Sequence, residues 1–334
     1  MPSLNYASPQ SLRAFLDSRG LGMRKKFGQN FLINQDARRK LVDALEIREG
    51  AVVWEVGAGL GAMTSLLLER GAIVNAFEID AGFVAVLQEF FGGNPRFHLV
   101  EGDALKTWRL QPEPPDARPA EDFFLGNLPY TIAAALLADF IEKNRFFKRI
   151  VATVQKEVAA RIIAQPKSKN YSSLSVLCAS AYTMTPLMTL KGASFYPAPH
   201  VDSQAVRFDI RTDIDPATAY PPLFRPLVRC LFASRRKTVK NNLTAFASSR
   251  FRESGRRIDG GVADGVINGA SGASAIAAEA LRQCGIPENE RAENLEIKDF
   301  AGLAEKTFYL LACADAVCAM RSEAQENGRP KRLL

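Results

Sequence analysis

Glu55-Val-Gly-Ala-Gly-Leu-Gly-Ala-Met-Thr64 leaves the apolar run Ala51–Val56 and enters a helical pattern that continues to about residue 70. Glycines at 57, 59 and 61 tolerate positive φ and let a ligand lie against bare backbone. Glu78 stands at the end of the next apolar run, Ile73–Phe77, twenty-one residues beyond Gly57. A carboxylate at that place can take both hydroxyls of a ribose. Gly57-x-Gly59-x-x-Ala62 also satisfies the dinucleotide fingerprint, so the loop by itself leaves a nicotinamide enzyme open. A tight turn with no ligand is disfavoured by the three glycines and the spaced acid.

Outward from this loop, apolar runs alternate with helical patterns. Strands are expected at 51–56, 73–77, 97–100, 123–126 and 149–154, with helices near 62–70, 81–91 and 133–144. Such alternation implies parallel pairing through right-handed crossovers, hence an open α/β sheet that binds ligands at the carboxyl ends of its strands. Helices at 155–165 and 172–181 follow, and the runs 184–190 and 204–210 close the sheet as a hairpin-like pair. Ahead of the sheet, 9–20 and 34–48 read as helices. The second is capped by Asn34 or Asp36 and sets Ala37, Leu41, Val42 and Leu45 on one face. Past Asp209 the pattern is helical, near 221–233, 236–249, 274–284 and 299–318. Two domains are therefore expected: 1–211, catalytic and opening with a basic helical segment 1–50, and 212–334, helical. Proline-rich Gln111–Glu121 and glycine-rich Ser254–Ser274 read as loops, and the polar tail from Met320 is expected to fray.

Hydrophobic residues at 47% with 24% charged exclude a disordered chain. No run approaches the roughly 18 apolar residues that cross a bilayer, and Met1–Gly20 lacks the apolar core of a signal peptide. A cytoplasmic protein is expected. Five scattered cysteines without a Cys-x-x-Cys pair, and only His98 and His200 besides, argue against a disulfide framework and against a metal site. The net charge of +7 is concentrated. Ten Lys/Arg lie between Arg225 and Arg257 against Glu253 alone, residues 1–40 hold eight bases against two acids, and the remainder is net acidic. Two basic concentrations on an acidic background point to a polyanion such as RNA. The candidate contacts are Arg24, Lys25 and Lys26 in the first, and Arg235, Arg236, Lys237 and Lys240 in the second. No extended apolar seam marks a dimer, so a monomer is expected.

Three further motifs fall at strand ends. Asp103, in Glu101-Gly-Asp-Ala104, can accept from the amino group of an adenine, or simply form an Asp turn. Asn127-Leu-Pro-Tyr130 follows the run Phe123–Gly126. An aromatic amine is a poor nucleophile because its lone pair is delocalised into the ring. Two acceptors aimed at its hydrogens, the Asn127 side-chain oxygen and the Leu128 carbonyl, draw it towards tetrahedral geometry. Pro129 fixes φ and holds that carbonyl, while Tyr130 offers a face to an extruded base. A proline turn after a buried strand is the plainer alternative, and its position beside a glycine loop counts against it. Phe195-Tyr-Pro-Ala-Pro-His-Val-Asp-Ser203 is a stiffened loop from which Phe195 either closes on the base or packs in the core.

Together these residues strongly resemble the ribosomal RNA adenine dimethyltransferases, which include the small-subunit dimethyladenosine transferases and the Erm-type macrolide-resistance enzymes. The similarity covers nearly the whole chain and includes Lys26-Phe-Gly-Gln-Asn-Phe-Leu32. Phe232–Leu243 and Arg291-Ala-Glu-Asn-Leu295 favour the small-subunit branch. The resemblance implies a Rossmann-like class I methyltransferase sheet with a smaller helical C-terminal domain, and S-adenosyl-L-methionine as cofactor. It places that cofactor at Gln29, Asn30, Leu32, Gly57, Gly59, Glu78, Asp103 and Asn127. Asn127, Leu128, Pro129, Tyr130 and Phe195 are implied at the reacting amine. The implied substrate is a pair of adjacent adenines in the 3′-terminal hairpin of small-subunit rRNA, presented in a pre-ribosomal particle. His200 where the family has lysine, the long segment 254–274 and the loop 111–121 depart from the pattern, none at a residue assigned to chemistry. The rivals are a large-subunit methyltransferase of the resistance type and a non-catalytic assembly factor. A nicotinamide enzyme lacks a plausible hydride-transfer site in this sequence.

Overall fold

The computed structural model describes residues 4–23, 28–111, 120–253 and 272–327. Its first element, α1 (Pro9–Ser18), starts with proline and is capped by the Ser8 hydroxyl on the Ser11 amide. β1 (Phe31–Leu32) and α2 (Gln35–Asp43) follow, and Asn34 is the cap of α2, accepting from the Ala37 amide. The sheet region then runs β2 (Val52–Val56), α3 (Ala62–Glu69), β3 (Ile73–Glu78), α4 (Ala81–Phe91), β4 (Phe97–Glu101), α5 (Ala104–Thr107), β5 (Ala120–Asn127), α6 (Ala133–Glu142), β6 (Phe147–Gln155) and α7 (Lys156–Ile162). After α8 (Ser173–Ala181) come β7 (Tyr182–Leu190), β8 (Phe195–Tyr196) and β9 (Ser203–Ile210).

Seven strands form one sheet in the order β4-β3-β2-β5-β6-β9-β7, while β1 and β8 make a separate two-stranded pair. Pairing is parallel from β4 through β6 and antiparallel for β6 with β9 and for β9 with β7. The chain enters mid-sheet at β2, moves outward to β4, then returns to lay β5 on the other flank of β2. That reversal opens a crevice at the carboxyl ends of β2 and β5. Val56 lies opposite Gly126, so Gly57 and Asn127 emerge side by side.

Strand alternation sorts the core by chemistry. Val53, Val74, Leu125, Val151 and Ala205 face an aliphatic layer closed by Leu41, Val42 and Leu45 of α2 and its C-cap turn and by Met63 and Leu67 of α3. Trp54, Phe77 and Phe124, on the alternate positions, build an aromatic layer with Phe140 of α6 and with Phe147 at the start of β6. The Arg145 guanidinium lies 4.3 Å from the Trp54 ring centroid and pairs with Asp122 at 2.5 Å.

Two compact units divide the chain, Met1–Ile163 with Cys178–Asp215, and Ala164–Leu177 with Pro216–Leu334. The division therefore falls after Asp215 rather than near 212, and the excursion 164–177 belongs to the second unit. There the Tyr171 hydroxyl donates to the Leu295 carbonyl and its ring meets Phe232 edge-on. The second unit is otherwise helical: α9 (Phe224–Phe232), α10 (Val239–Glu253), α11 (Gly272–Gln283) and α12 (Ile297–Asn327). α12 runs unbroken past Met320, where fraying was expected, because neither Gly nor Pro lies between Met320 and Asn327. Residues 112–119 and 254–271, most of the two expected loops, lie outside the described residues. β5 already begins at Ala120 and α11 at Gly272. Among the described residues no helix is long and apolar enough to cross a membrane.

Candidate functional site

The crevice between β2 and β5 is a cleft of about 220 Å³. The glycine loop forms one wall, with Gly57, Gly59 and Gly61 at φ +77°, +60° and +83°. Gly61 is confined as well as twisted, since a Cβ there would sit 2.3 Å from the Phe91 ring. Glu78, 5% exposed, closes the end of β3. One of its oxygens accepts from the Gly59 amide at 2.8 Å, and the other from the amides of Ile79 and Asp80 at 3.0 and 2.9 Å. Burial raises its pKa against the pull of these three donors. The carboxylate is thus fixed in direction by backbone, with lone pairs left for a diol. Asp103 follows β4 and forms the turn expected of it. Its Oδ1 caps α5 on the Leu105 amide at 3.0 Å, while the residue borders the cleft. Gln29 and Asn30 border it too, Gln29 donating to Asp80 at 3.2 Å.

On the facing wall stand Asn127 and Pro129. Asn127 Nδ2 donates to the Asn30 carbonyl at 2.9 Å. A carbonyl can only accept, so this bond decides which end of the amide is which: nitrogen towards Asn30, Oδ1 left as an acceptor. The Leu128 amide donates to Thr153 at 3.1 Å, anchoring the turn to β6. No hydrogen bond among the described residues occupies the Leu128 carbonyl. The turn also touches the glycine loop, for a Cβ on Gly57 would lie 3.7 Å from the Asn127 carbonyl and 3.8 Å from Pro129. Asn127 and Pro129 of the tetrapeptide face the cleft, and the cleft is open.

Three expected residues sit elsewhere. Leu32 is buried in the aliphatic core and does not border the main cleft. Phe195, 4% exposed, packs in the same core opposite Leu32 in the β1–β8 pair, the core-packing alternative of the two its loop left open. Alternation along β8 explains this: with Phe195 turned inward, Tyr196 packs instead against the α1 cluster. Tyr130 is half-buried, does not border the cleft, and its hydroxyl lies 2.8 Å from Ser203 Oγ. Reading the sequence missed Ile79, an aliphatic residue left 42% exposed at the cleft after Glu78, and the apolar wall of Phe77, Phe83 and Ile132. A branched aliphatic side chain directly after a strand-end acid is the signal that was available.

Behind the glycine loop lies a smaller chamber of about 50 Å³ that shares Asn30, Gly57, Gly59 and Asn127 with the cleft. Leu32 borders it, with Tyr6, Arg38 and Glu55. Glu55 is 1% exposed, accepts from the Thr64 hydroxyl at 2.7 Å, and is pushed by burial up to about 8. The Tyr6 hydroxyl donates to the Leu60 carbonyl at 2.9 Å, and burial raises it to about 12.

Of the basic candidates, Arg24, Lys25 and Lys26 lie outside the described residues. In the second unit Arg235 pairs with Glu293 at 2.9 Å and donates to the Lys169 carbonyl at 3.1 Å, and Lys240 pairs with Glu288 at 2.6 Å. Arg236 and Lys237 are exposed and form no ion pair among the described residues.

A glycine-looped crevice with a strand-end acid, on a parallel sheet finished by an antiparallel pair, defines the class I S-adenosylmethionine-dependent methyltransferases. The residues fit that donor: a fixed carboxylate for a ribose diol, apolar Ile79 and Phe83 beside it for a purine, and bare glycine backbone between. The family model described as ribosomal RNA adenine dimethylase matches residues 20–265. A ribosomal RNA small subunit methyltransferase A of Treponema denticola is 40% identical over 303 residues, covering 90% of this chain and 95% of that one. Its counterpart from Borreliella afzelii is 39% identical over 249 residues, 74% of this chain and 85% of that one. In fold, the chain is similar to a dimethyladenosine transferase from Plasmodium falciparum, with a TM-score of 0.64 at 24% identity over 83% of this chain and 97% of that one. It is also similar to the 23S rRNA methyltransferase ErmE, with 0.51 at 21% over 83% and 98%. The chain belongs to the ribosomal RNA adenine dimethylase family. It is an rRNA adenine dimethyltransferase with S-adenosyl-L-methionine as methyl donor, and the nicotinamide alternative falls.

Proposed function

We propose that this enzyme dimethylates the exocyclic amines of two adjacent adenosines in the 3′-terminal hairpin loop of small-subunit rRNA, acting as a monomer on a pre-ribosomal particle during subunit biogenesis. The observation that carries the chemistry is the Asn127–Asn30 hydrogen bond, which leaves Asn127 Oδ1 as an acceptor beside the glycine loop. Oδ1 and the Leu128 carbonyl accept the two amine hydrogens and localise the nitrogen lone pair. Pro129 and the Leu128–Thr153 bond keep the carbonyl from turning away. The bound donor supplies an electrophilic methyl group on a sulfonium. No strong base is needed, because the methylated ammonium is acidic, and catalysis is mainly positioning. Tyr130, held by Ser203, gives the extruded base a ring to rest on. Gln29, Asn30, Gly57, Gly59, Glu78 and Asp103 hold the donor, with Leu32 at the rear chamber. The identity to small-subunit methyltransferases over 90% of the chain supports the choice of subunit.

Labelled cofactor incubated with unmethylated small and large subunits tests this reading. Label is expected in two neighbouring adenines of the small subunit, and Asn127→Ala is expected to lower kcat by about a hundredfold or more, the scale seen when a positioned catalytic hydrogen bond is removed. Label in the large subunit would make it a resistance-type enzyme. Subunit binding without transfer by either protein would make it an assembly factor.

A further inference from the structure

The chamber behind the glycine loop holds a cation with no partner among the described residues. Arg38 is 5% exposed, its Nε is buried without a partner, and its guanidinium forms no hydrogen bond or ion pair among the described residues. Its guanidinium carbon lies 5.6 Å from the centroid of the Tyr6 ring. Tyr6 offers no charge, since its hydroxyl is spent on the Leu60 carbonyl. Glu55 borders the same chamber but is bonded to Thr64 and makes no ion pair with Arg38. An unpaired charge out of water is costly, and folds keep one where a ligand completes it.

We propose that Arg38 receives the α-carboxylate of S-adenosylmethionine. The inference rests on that donor being bound in the main cleft. The donor has adenosine on one side of its sulfur and an amino acid on the other. Glu78, Asp103 and Ile79 gather at one end of the cleft, so the adenosine end belongs there. The amino-acid end then points across Gly57 and Gly59 to the chamber they share with Asn30 and Asn127. The carboxylate is the donor's sole anion, and Arg38 is the one cation among the described residues that border the chamber. About 50 Å³ leaves room for a carboxylate.

Calorimetric affinities test the assignment with S-adenosylmethionine and with its decarboxylated analogue, which keeps the sulfonium and the ammonium. Each is measured on wild type, Arg38→Met and Arg38→Lys, and the preference for the carboxylate-bearing ligand is read as a ratio within each protein. The ratio is expected to fall tenfold or more in Arg38→Met, as for loss of a charge-assisted hydrogen bond, and to fall less in Arg38→Lys. Ligand-free Arg38→Met is expected to melt no lower than wild type, since the substitution removes an unpaired buried charge. An unchanged ratio, or equal loss for both ligands, overturns the proposal while leaving the donor assignment intact. Failure of the wild type to bind S-adenosylmethionine at all overturns both.

Discussion

Replacing Glu55 by glutamine should make the ligand-free protein more stable at alkaline pH. The carboxyl is 1% exposed, and burial, aided by the neighbouring charge of Glu78, lifts it from the ordinary 4.5 to about 8. A group whose folded pKa is raised contributes stability that is complete below its unfolded value and is lost as pH climbs through the folded value. Between pH 4.5 and 8 the unfolded chain has released this proton and the folded chain still holds it. Wild type should therefore lose about 1.4 kcal/mol per pH unit through this group, about 5 kcal/mol in all, and then level off. Glutamine keeps an acceptor for the Thr64 hydroxyl and does not titrate. Its amide adds one donor to satisfy, at a cost of about 1 kcal/mol near pH 5. The two stability curves should cross above pH 5, with the variant ahead by a few kcal/mol at pH 8.5. Urea denaturation followed by tryptophan fluorescence reads the right unit, because Trp54 and Trp108 both lie in the first. Parallel curves from pH 5 to 8.5 would mean that Glu55 is ionised in the fold.

Gly61→Ala should cost several kcal/mol, because a side chain at φ +83° is strained and its Cβ would enter the Phe91 ring. A melting temperature within a degree or two of wild type would refute that. Neutralising Arg236 and Lys237 together should weaken RNA binding and flatten its salt dependence by nearly two counterions, while Arg235→Ala, which breaks the pair with Glu293, should mainly lower the stability of the second unit. Titrations at several salt concentrations, beside thermal melts, separate the two outcomes.

What could be read from sequence followed the strength of local pattern. The alternation of strands and helices and the glycines at 57, 59 and 61 are short-range signals, and the strand positions built on them stand. So does the meeting of Asn127 with the glycine loop, which required only that both leave adjacent parallel strands at the same end. β1 and β8 left no trace, because two residues have no period, and the two readings of Phe195 stayed open for the same reason. The pairing of Arg235 and Lys240 with Glu293 and Glu288 was hidden because the acids lie about fifty residues away. Arg38 was legible and overlooked: with Leu41, Val42 and Leu45 it falls on the i, i+3, i+4, i+7 stripe of α2, so its helix carries it inward. A cation on an apolar stripe is worth asking about wherever it occurs.

The bond from Asn127 to the Asn30 carbonyl fastens the amide proposed to orient the amine to the strip of chain, residues 28–30, that borders the same cleft. Any movement of residues 28–30 therefore also turns that amide. On the roles proposed above, holding one substrate and preparing the other are thereby a single mechanical event.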